Sequence, residues 1–334
     1  MSSTRPVPET RMMAGDTLSA DDAWSTLRRY GGWQLLHDAF LRFRYGDGFS
    51  HARALGLQLS LAALPLLIAL TGLASQLGFT RAGRVVADTV WALTPGASEE
   101  LVTDLLMDDH RTQEIGETAL TFGLITAVVA LTSAVGQIER GANRIYGVER
   151  DRPALRKYGR ALVLALTVGL PALIGFLLLV AGEAFRDAVQ RSYKWSPAAD
   201  MAWTVARWPV SLGLTILTVA ILFRYAPRRY QPGLSWLMFG AGIATGLWWL
   251  ASLLLAAYIN ASGSFGGTYG ALTAVMALLL WANLTGIAVF LGLAFAAQLE
   301  ARRVGVAKPA KPDRWKLPQE QSKSDPPARK ATTA

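Results

Sequence analysis

Hydrophobic residues along this chain gather into long unbroken runs rather than into short alternating or amphipathic stretches. Five runs, at about 54–77, 119–137, 161–181, 234–259 and 271–299, approach or exceed the ~20 residues that a helix needs to cross ~30 Å of hydrocarbon. A further run at about 209–223 reaches that length once Trp203 to Ala206, or Arg224 and Tyr225, are added to it. The pattern predicts an all-α polytopic membrane protein with six transmembrane helices. Pro65 and Pro171 fall inside the first and third runs, and Pro171 is expected to kink its helix.

The polar intervals differ in kind. From Asp21 to about Arg44, Trp24, Leu27, Trp33, Leu36, Phe40 and Phe43 recur at steps of three and four, with Arg28, Arg29 and Asp38 between them. That spacing predicts an amphipathic helix, either lying along the membrane surface with its aromatics at headgroup level or packed on the end of the bundle. The interval 78–117 is acidic and too long for a plain loop, which predicts short extracytoplasmic helices. Trp195, Trp203 and Trp208 stand where aromatics border a bilayer. Residues 1–20 and 304–334 lack apolar periodicity and read as disordered tails flanking a membrane domain at 21–303. The first ~50 residues show no hydrophobic core with a small-residue cleavage site, so no cleavable signal peptide is expected.

Composition agrees with a membrane protein: of 334 residues 52% are hydrophobic and 17% charged, against about 25% charged in a typical soluble domain. The formal net charge of +9 is informative through its placement. Lys and Arg number seven up to Arg53, seven after the second run, three after the fourth and nine beyond the sixth. The opposite intervals hold three, four and none. Positive-inside bias therefore predicts that both termini lie in the cytoplasm, and it accounts for the basicity without a nucleic-acid partner. Cys is absent, which excludes disulfides, thiolate nucleophiles and Cys-ligated metals. No P-loop, no metal-site spacing of His, Asp and Glu, and almost no ionisable residue at membrane depth is visible, so neither an enzyme nor a cofactor is expected.

Three motifs carry candidate chemistry. Arg140, Asn143, Arg144 and Tyr146 after the second run, with Arg224, Tyr225 and Arg228 after the fourth, lie at cytoplasmic ends of neighbouring spans. Guanidinium forks suit phosphate and carboxylate, so these residues are candidate contacts for an anionic headgroup; topology signalling and anchoring to anionic lipid is the plainer use. At the other end, Tyr258, Asn260 and Tyr269, with Asn283 in the sixth span, are candidates for a gate or polar lining around a glycine-rich tip, and a tight polar turn is the plainer use. Gly242 and Gly246 form a GxxxG in the fifth run, with Gly240 and Ala244 at the same spacing, for packing within the chain or, alternatively, for a homo-oligomer contact.

Gln137 to Gly147, the string Phe223-Arg-Tyr-Ala-Pro-Arg-Arg and the later Tyr269-Gly-Ala-Leu and Trp281 region together resemble the YihY/BrkB family of bacterial inner-membrane proteins, over roughly residues 35–303. The resemblance implies six membrane helices with cytoplasmic termini. It also implies a role in the cell envelope, in moving a lipid or other amphiphile across the inner membrane; the name ribonuclease BN, once attached to members, is regarded as erroneous. Many relatives carry Gly-Ala-Glu-Leu-Asn late in the sixth span, whereas here Gly292 is followed by Leu293-Ala294-Phe295-Ala296-Ala297, and the acid is expected to be missing. The resulting expectation is a flippase-like exporter of an anionic amphiphile. Its arginines would recruit the headgroup, and Pro65, Pro171, Gly242 and Gly246 would let a cavity open. A non-transporting scaffold acting through 78–117 is the alternative, and a membrane-bound ribonuclease a remote one.

Overall fold

The computed structural model describes residues 4–9, 18–77, 85, 109–193, 195–261, 271–306 and 308–311. Two short helices, α1 (Ala20–Tyr30) and α2 (Gly32–Tyr45), precede the long ones. These are α3 (Gly48–Leu77), α4 (Asp109–Tyr146) and α5 (Ala154–Val180), then the short α6 (Gly182–Tyr193), then α7 (Pro197–Tyr225), α8 (Leu234–Ala261) and α9 (Ala271–Arg303). Among the described residues there is no strand, only an isolated antiparallel bridge between Thr4 and Ala310.

Among the described residues, six helices are long and apolar enough to cross a membrane: Gly48–Leu70, Leu120–Tyr146, Ala154–Phe176, Pro197–Tyr225, Leu234–Ile259 and Val275–Arg303. The protein is therefore an all-α, multi-pass membrane protein. The fourth span is longer than the hydrophobic run, because Ser196 accepts a hydrogen bond from the Ala199 amide at 3.3 Å and Pro197 sits in the first turn, so the helix starts well before Pro209. Pro65, Pro171 and Pro209 all lie inside continuous helices.

The predicted amphipathic helix is two helices. Gly31, at φ 76°, breaks it in a conformation that favours glycine. The face of α2 that is buried carries Leu35, Ala39, Arg42 and Phe43, and it lies on α9; Trp33, at 82% exposure, with Leu36 and Phe40, forms the outer face. The structure thus shows the packed arrangement, with α2 lying on the bundle and Trp33 facing away from it.

The six spans form a closed ring, each packed antiparallel on the next in the order α3, α4, α5, α7, α8, α9 and back to α3, with α9 also touching α4. One end of the ring carries the α4–α5 and α7–α8 turns, both chain ends and α2; it is the basic end. The main buried core lies near this end: Ala52 and Leu55 early in α3, Ala134 to Tyr146 late in α4, Ala161 to Val168 early in α5, Phe223 late in α7, Trp236 to Ala244 early in α8, Phe290 to Ala301 late in α9. Hydrocarbon is as apolar as leucine, so such helices associate through close packing rather than through the hydrophobic effect. The closest approach shows this: a Cβ on Gly240 would stand 2.7 Å from the Gly292 carbonyl oxygen, and one on Gly292 2.5 Å from the Gly240 carbonyl oxygen. Gly240 and Ala244 are thus the packing face of α8. Gly242 and Gly246, by contrast, would place a Cβ against nothing within 4 Å, and they line an apolar cavity of about 400 Å³ with Leu36, Phe40, Leu250 and Phe295. The expected intramolecular contact through the GxxxG therefore belongs to its neighbours two positions away.

Candidate functional site

Two turns meet at the basic end and are locked together by arginines donating to carbonyls. The Arg152 guanidinium gives Nη1 to the Ala226 carbonyl at 3.0 Å and Nη2 to the Pro227 carbonyl at 2.9 Å, while pairing with the buried Glu139 at 3.0 Å. Burial lowers the Arg152 pKa, and the Glu139 carboxylate works against that shift. In return, Arg228 donates from Nη1 to the Arg150 carbonyl at 3.2 Å and the Asp151 carbonyl at 2.9 Å. Asn143, fully buried, closes the seam: its amide donates to Asp151 Oδ1 at 2.8 Å and its Oδ1 accepts from the Arg228 backbone N–H at 2.7 Å.

A second, deeper cluster lies against α9. Arg229 makes two bonds to Glu300, at 2.7 and 3.1 Å, and both side chains are nearly sealed, at 3% and 1% exposure. Its guanidinium lies 4.4 Å from the centre of the Tyr146 ring, a cation–π contact. Arg42, reaching in from α2, gives Nε to Gln298 at 2.7 Å and Nη1 to the Ile145 carbonyl at 3.1 Å. Burial pulls its pKa down to about 10, which leaves it charged at neutral pH. Arg302 pairs with Asp38 beside this cluster.

The chain's own ends cover the deep cluster. Residues 4–9 and 308–311, within stretches expected to be disordered tails, are hydrogen-bonded. The Arg5 amide donates to the Pro309 carbonyl at 2.8 Å, the Val7 amide to the Tyr146 carbonyl at 3.1 Å, and Thr4 Oγ1 to the Arg144 carbonyl at 2.7 Å. Lys311 lies 3.5 Å from Glu149.

The candidate headgroup residues therefore divide. Asn143, Tyr146 and Arg228 are spent in the scaffold: Asn143 and Arg228 join the two turns, and Tyr146 is buried beneath Arg229. Arg144 is half-buried under the N-terminal segment, its carbonyl taken by Thr4. Arg140 and Arg224 remain outward. Arg140 is 48% exposed with a loose 3.8 Å contact to Asp151, and Arg224 lies over the exposed ring of Tyr225 at 5.7 Å. Arg160, close by, donates to the Tyr225 carbonyl at 3.2 Å.

Of the candidate gate residues, Tyr258 and Asn283 stand apart. Tyr258 is exposed near the end of α8, whereas Asn283 lies twelve residues, or about 18 Å, inside α9. There the α9 backbone at Asn283 is so close to Gly56 that a Cβ on the glycine would stand 2.8 Å from it. Asn260 falls in the last turn of α8, and Tyr269 lies outside the described residues, as does nearly all of 78–108. Among the described residues no three His, Asp or Glu side chains gather as a metal site.

Residue-type reasoning missed Arg42, Glu139, Arg152, Gln298 and Glu300 as members of the site. A signal was present for Arg42: Leu35, Ala39 and Arg42 share one helical face by steps of four and three, opposite the Trp33-Leu36-Phe40 stripe. The acid expected to be missing from α9 also needs restating. The stretch Ala296-Ala297-Gln298-Leu299-Glu300 carries one, Glu300, buried and paired with Arg229.

Comparison with known proteins agrees with this architecture. The chain is 26% identical over 271 residues to the ribonuclease-like protein YfkH of Bacillus subtilis (strain 168), covering 80% of this chain and 96% of that one. It is 26% identical over 227 residues to a UPF0761 membrane protein of Halorhodospira halophila, covering 67% of this chain and 48% of the relative. A UPF0761 membrane protein of Xanthomonas oryzae is 25% identical over 270 residues, with 79% and 60% covered. The chain thus spans only about half to three-fifths of these UPF0761 relatives. No solved structure matches. The model of the family described as Virulence factor BrkB matches residues 39–318, from the middle of α2 to beyond α9, and the chain belongs to that family of membrane proteins.

Proposed function

We propose that this protein moves an anionic amphiphile, a lipid or lipid-like molecule, across the bacterial cytoplasmic membrane, with its basic end toward the cytoplasm. The observation that carries the reading is the division of labour among the arginines. Arg152, Arg228 and Arg229 donate to the carbonyls and the carboxylate that hold the turns and α9 together, while Arg140 is 48% exposed with one loose contact to Asp151 at 3.8 Å and Arg224 lies half-buried over the exposed Tyr225 ring. A guanidinium with open donors recruits phosphate or carboxylate, and one already shared among carbonyls does not. The reading assigns no bond-breaking step and no cofactor.

Reconstitution into liposomes with labelled phosphatidylglycerol tests it. Wild-type protein is expected to move the label between leaflets, and Arg140→Ala with Arg224→Ala to reduce the rate by at least tenfold while the folded fraction stays constant. Equal rates for the double variant and the wild type, or no movement by the wild type, would overturn it.

A further inference from the structure

The geometry points to a second anion site, separate from the outward arginines: the buried pair Arg42 and Arg229, closed by the chain's own residues 4–9 acting as a strap in the place of a phosphate. The strap meets the two guanidinium groups with backbone carbonyls. Arg42 Nη1 donates to the Arg5 carbonyl at 3.1 Å, and Arg229 Nη2 to the Pro8 carbonyl at 3.0 Å. Two carbonyl dipoles satisfy guanidinium donors but bring no counter-charge, whereas an anion supplies both, and can do so with two parallel bonds.

Charge and donor accounts agree. Beneath the strap, Arg42, Arg229 and Arg302 stand with Glu300 and Asp38, three positive charges against two negative; the strap itself brings a further carboxylate, Glu9, whose Oε1 accepts from the Tyr230 amide, and that charge leaves when the strap does. Arg42 is fully buried, yet its Nη2 has no hydrogen-bond partner among the described residues, and neither does Arg229 Nε. Gln298, the side-chain partner of Arg42 Nε, is neutral. A buried guanidinium held by a neutral amide and carbonyls is costly unless something balances its charge. A phosphate group fits the excess of one positive charge and the uncommitted donors. It has two sources, the headgroup of a phospholipid entering at the basic end and free inorganic phosphate. The cover is a short extended segment rather than a helix, held by a few backbone bonds, the Thr4 hydroxyl and the buried Val7 side chain.

The absence of native cysteine provides the test. Thr4 and Ala310 form an antiparallel bridge, and the Cα separation of such pairs, about 4.5–5.5 Å, lies within the range a disulfide accepts. In the full-length chain, Thr4→Cys with Ala310→Cys locks the strap when oxidised and frees it when reduced. Binding is measured for inorganic phosphate in detergent and, separately, for phosphatidylglycerol retained from nanodiscs. The reduced form is expected to bind one of these ligands at least tenfold more tightly than the oxidised form, and Arg42→Gln to bring the reduced form down to the oxidised level. A response to phosphate in detergent identifies the free anion; a response confined to nanodiscs identifies the headgroup. Equal binding by locked and unlocked protein, or none by either, would overturn the site. The readout is binding rather than flux, so this inference and the transport reading stand or fall separately.

Discussion

At the scale of the residue, the basic end is governed by the cost of buried charge. Glu300 holds Arg229 in near-complete isolation from solvent, so Glu300→Gln leaves a guanidinium buried without its counter-charge. Breaking one side of such a pair typically costs about 3–5 kcal/mol, and the variant is expected to show that loss in detergent unfolding. Arg229→Met with Glu300→Leu removes both charges and is expected to recover most of it. These pairs were poorly legible in the chain, because a charge at the end of a hydrophobic run has two readings, topology signal or structural partner, and spacing along one helix does not separate them. Arg228 reads as a headgroup-side cation and Arg152 carries no signal of its own, yet the carbonyls they serve belong to turns more than seventy residues away. Arg140 and Arg224 make only looser contacts, to Asp151 at 3.8 Å and over the Tyr225 ring at 5.7 Å.

At the scale of the element, neighbouring glycines on α8 carry opposite expectations. Gly292→Leu or Gly240→Leu forces the α8 and α9 backbones apart and is expected to cost about 1–3 kcal/mol or more, read as a lowered unfolding temperature. Gly242→Ala meets open space in a helix and is expected to be neutral or to gain about 0.5–1 kcal/mol. The GxxxG spacing announced a small-residue helix but not its orientation, because Gly240, Gly242, Ala244 and Gly246 offer two faces of equal promise. At the opposite end, α6 is clasped to α7 by Arg186 on Asp200, Arg207 on Glu183 at 2.7 Å and the Trp203 indole donating to the Gly182 carbonyl at 2.9 Å. The hydrogen bond and then the charge of Arg207 hold the Glu183 carboxyl below the usual carboxylate range. The contribution of that pair is thus complete above the ordinary glutamate value of about 4.3, and it is lost as the pH falls through the lower folded value. Acidification from about pH 5 to about pH 3 is expected to shift Trp203 emission, and Glu183→Gln to abolish the part of that shift that comes from the clasp.

For the whole molecule, the ring of six antiparallel spans was the most legible property, since a run of ~20 apolar residues has few other stable homes. Span ends were less legible, as helices continue through polar caps: α7 begins twelve residues ahead of Pro209 and α4 eleven ahead of Leu120. The proposed sidedness has a direct measurement in a chain without cysteine. Arg156→Cys is expected to react with an impermeant maleimide only from the cytoplasmic side, and Ala198→Cys only from the opposite one. A further consequence follows from the strap, and it concerns time rather than space. Residues 4–9 are synthesised before any of the six spans, whereas Pro309 and Ala310, to which they are joined, follow the sixth. The seam between the two segments therefore cannot close until all six spans have been made, so its closure marks a completed ring.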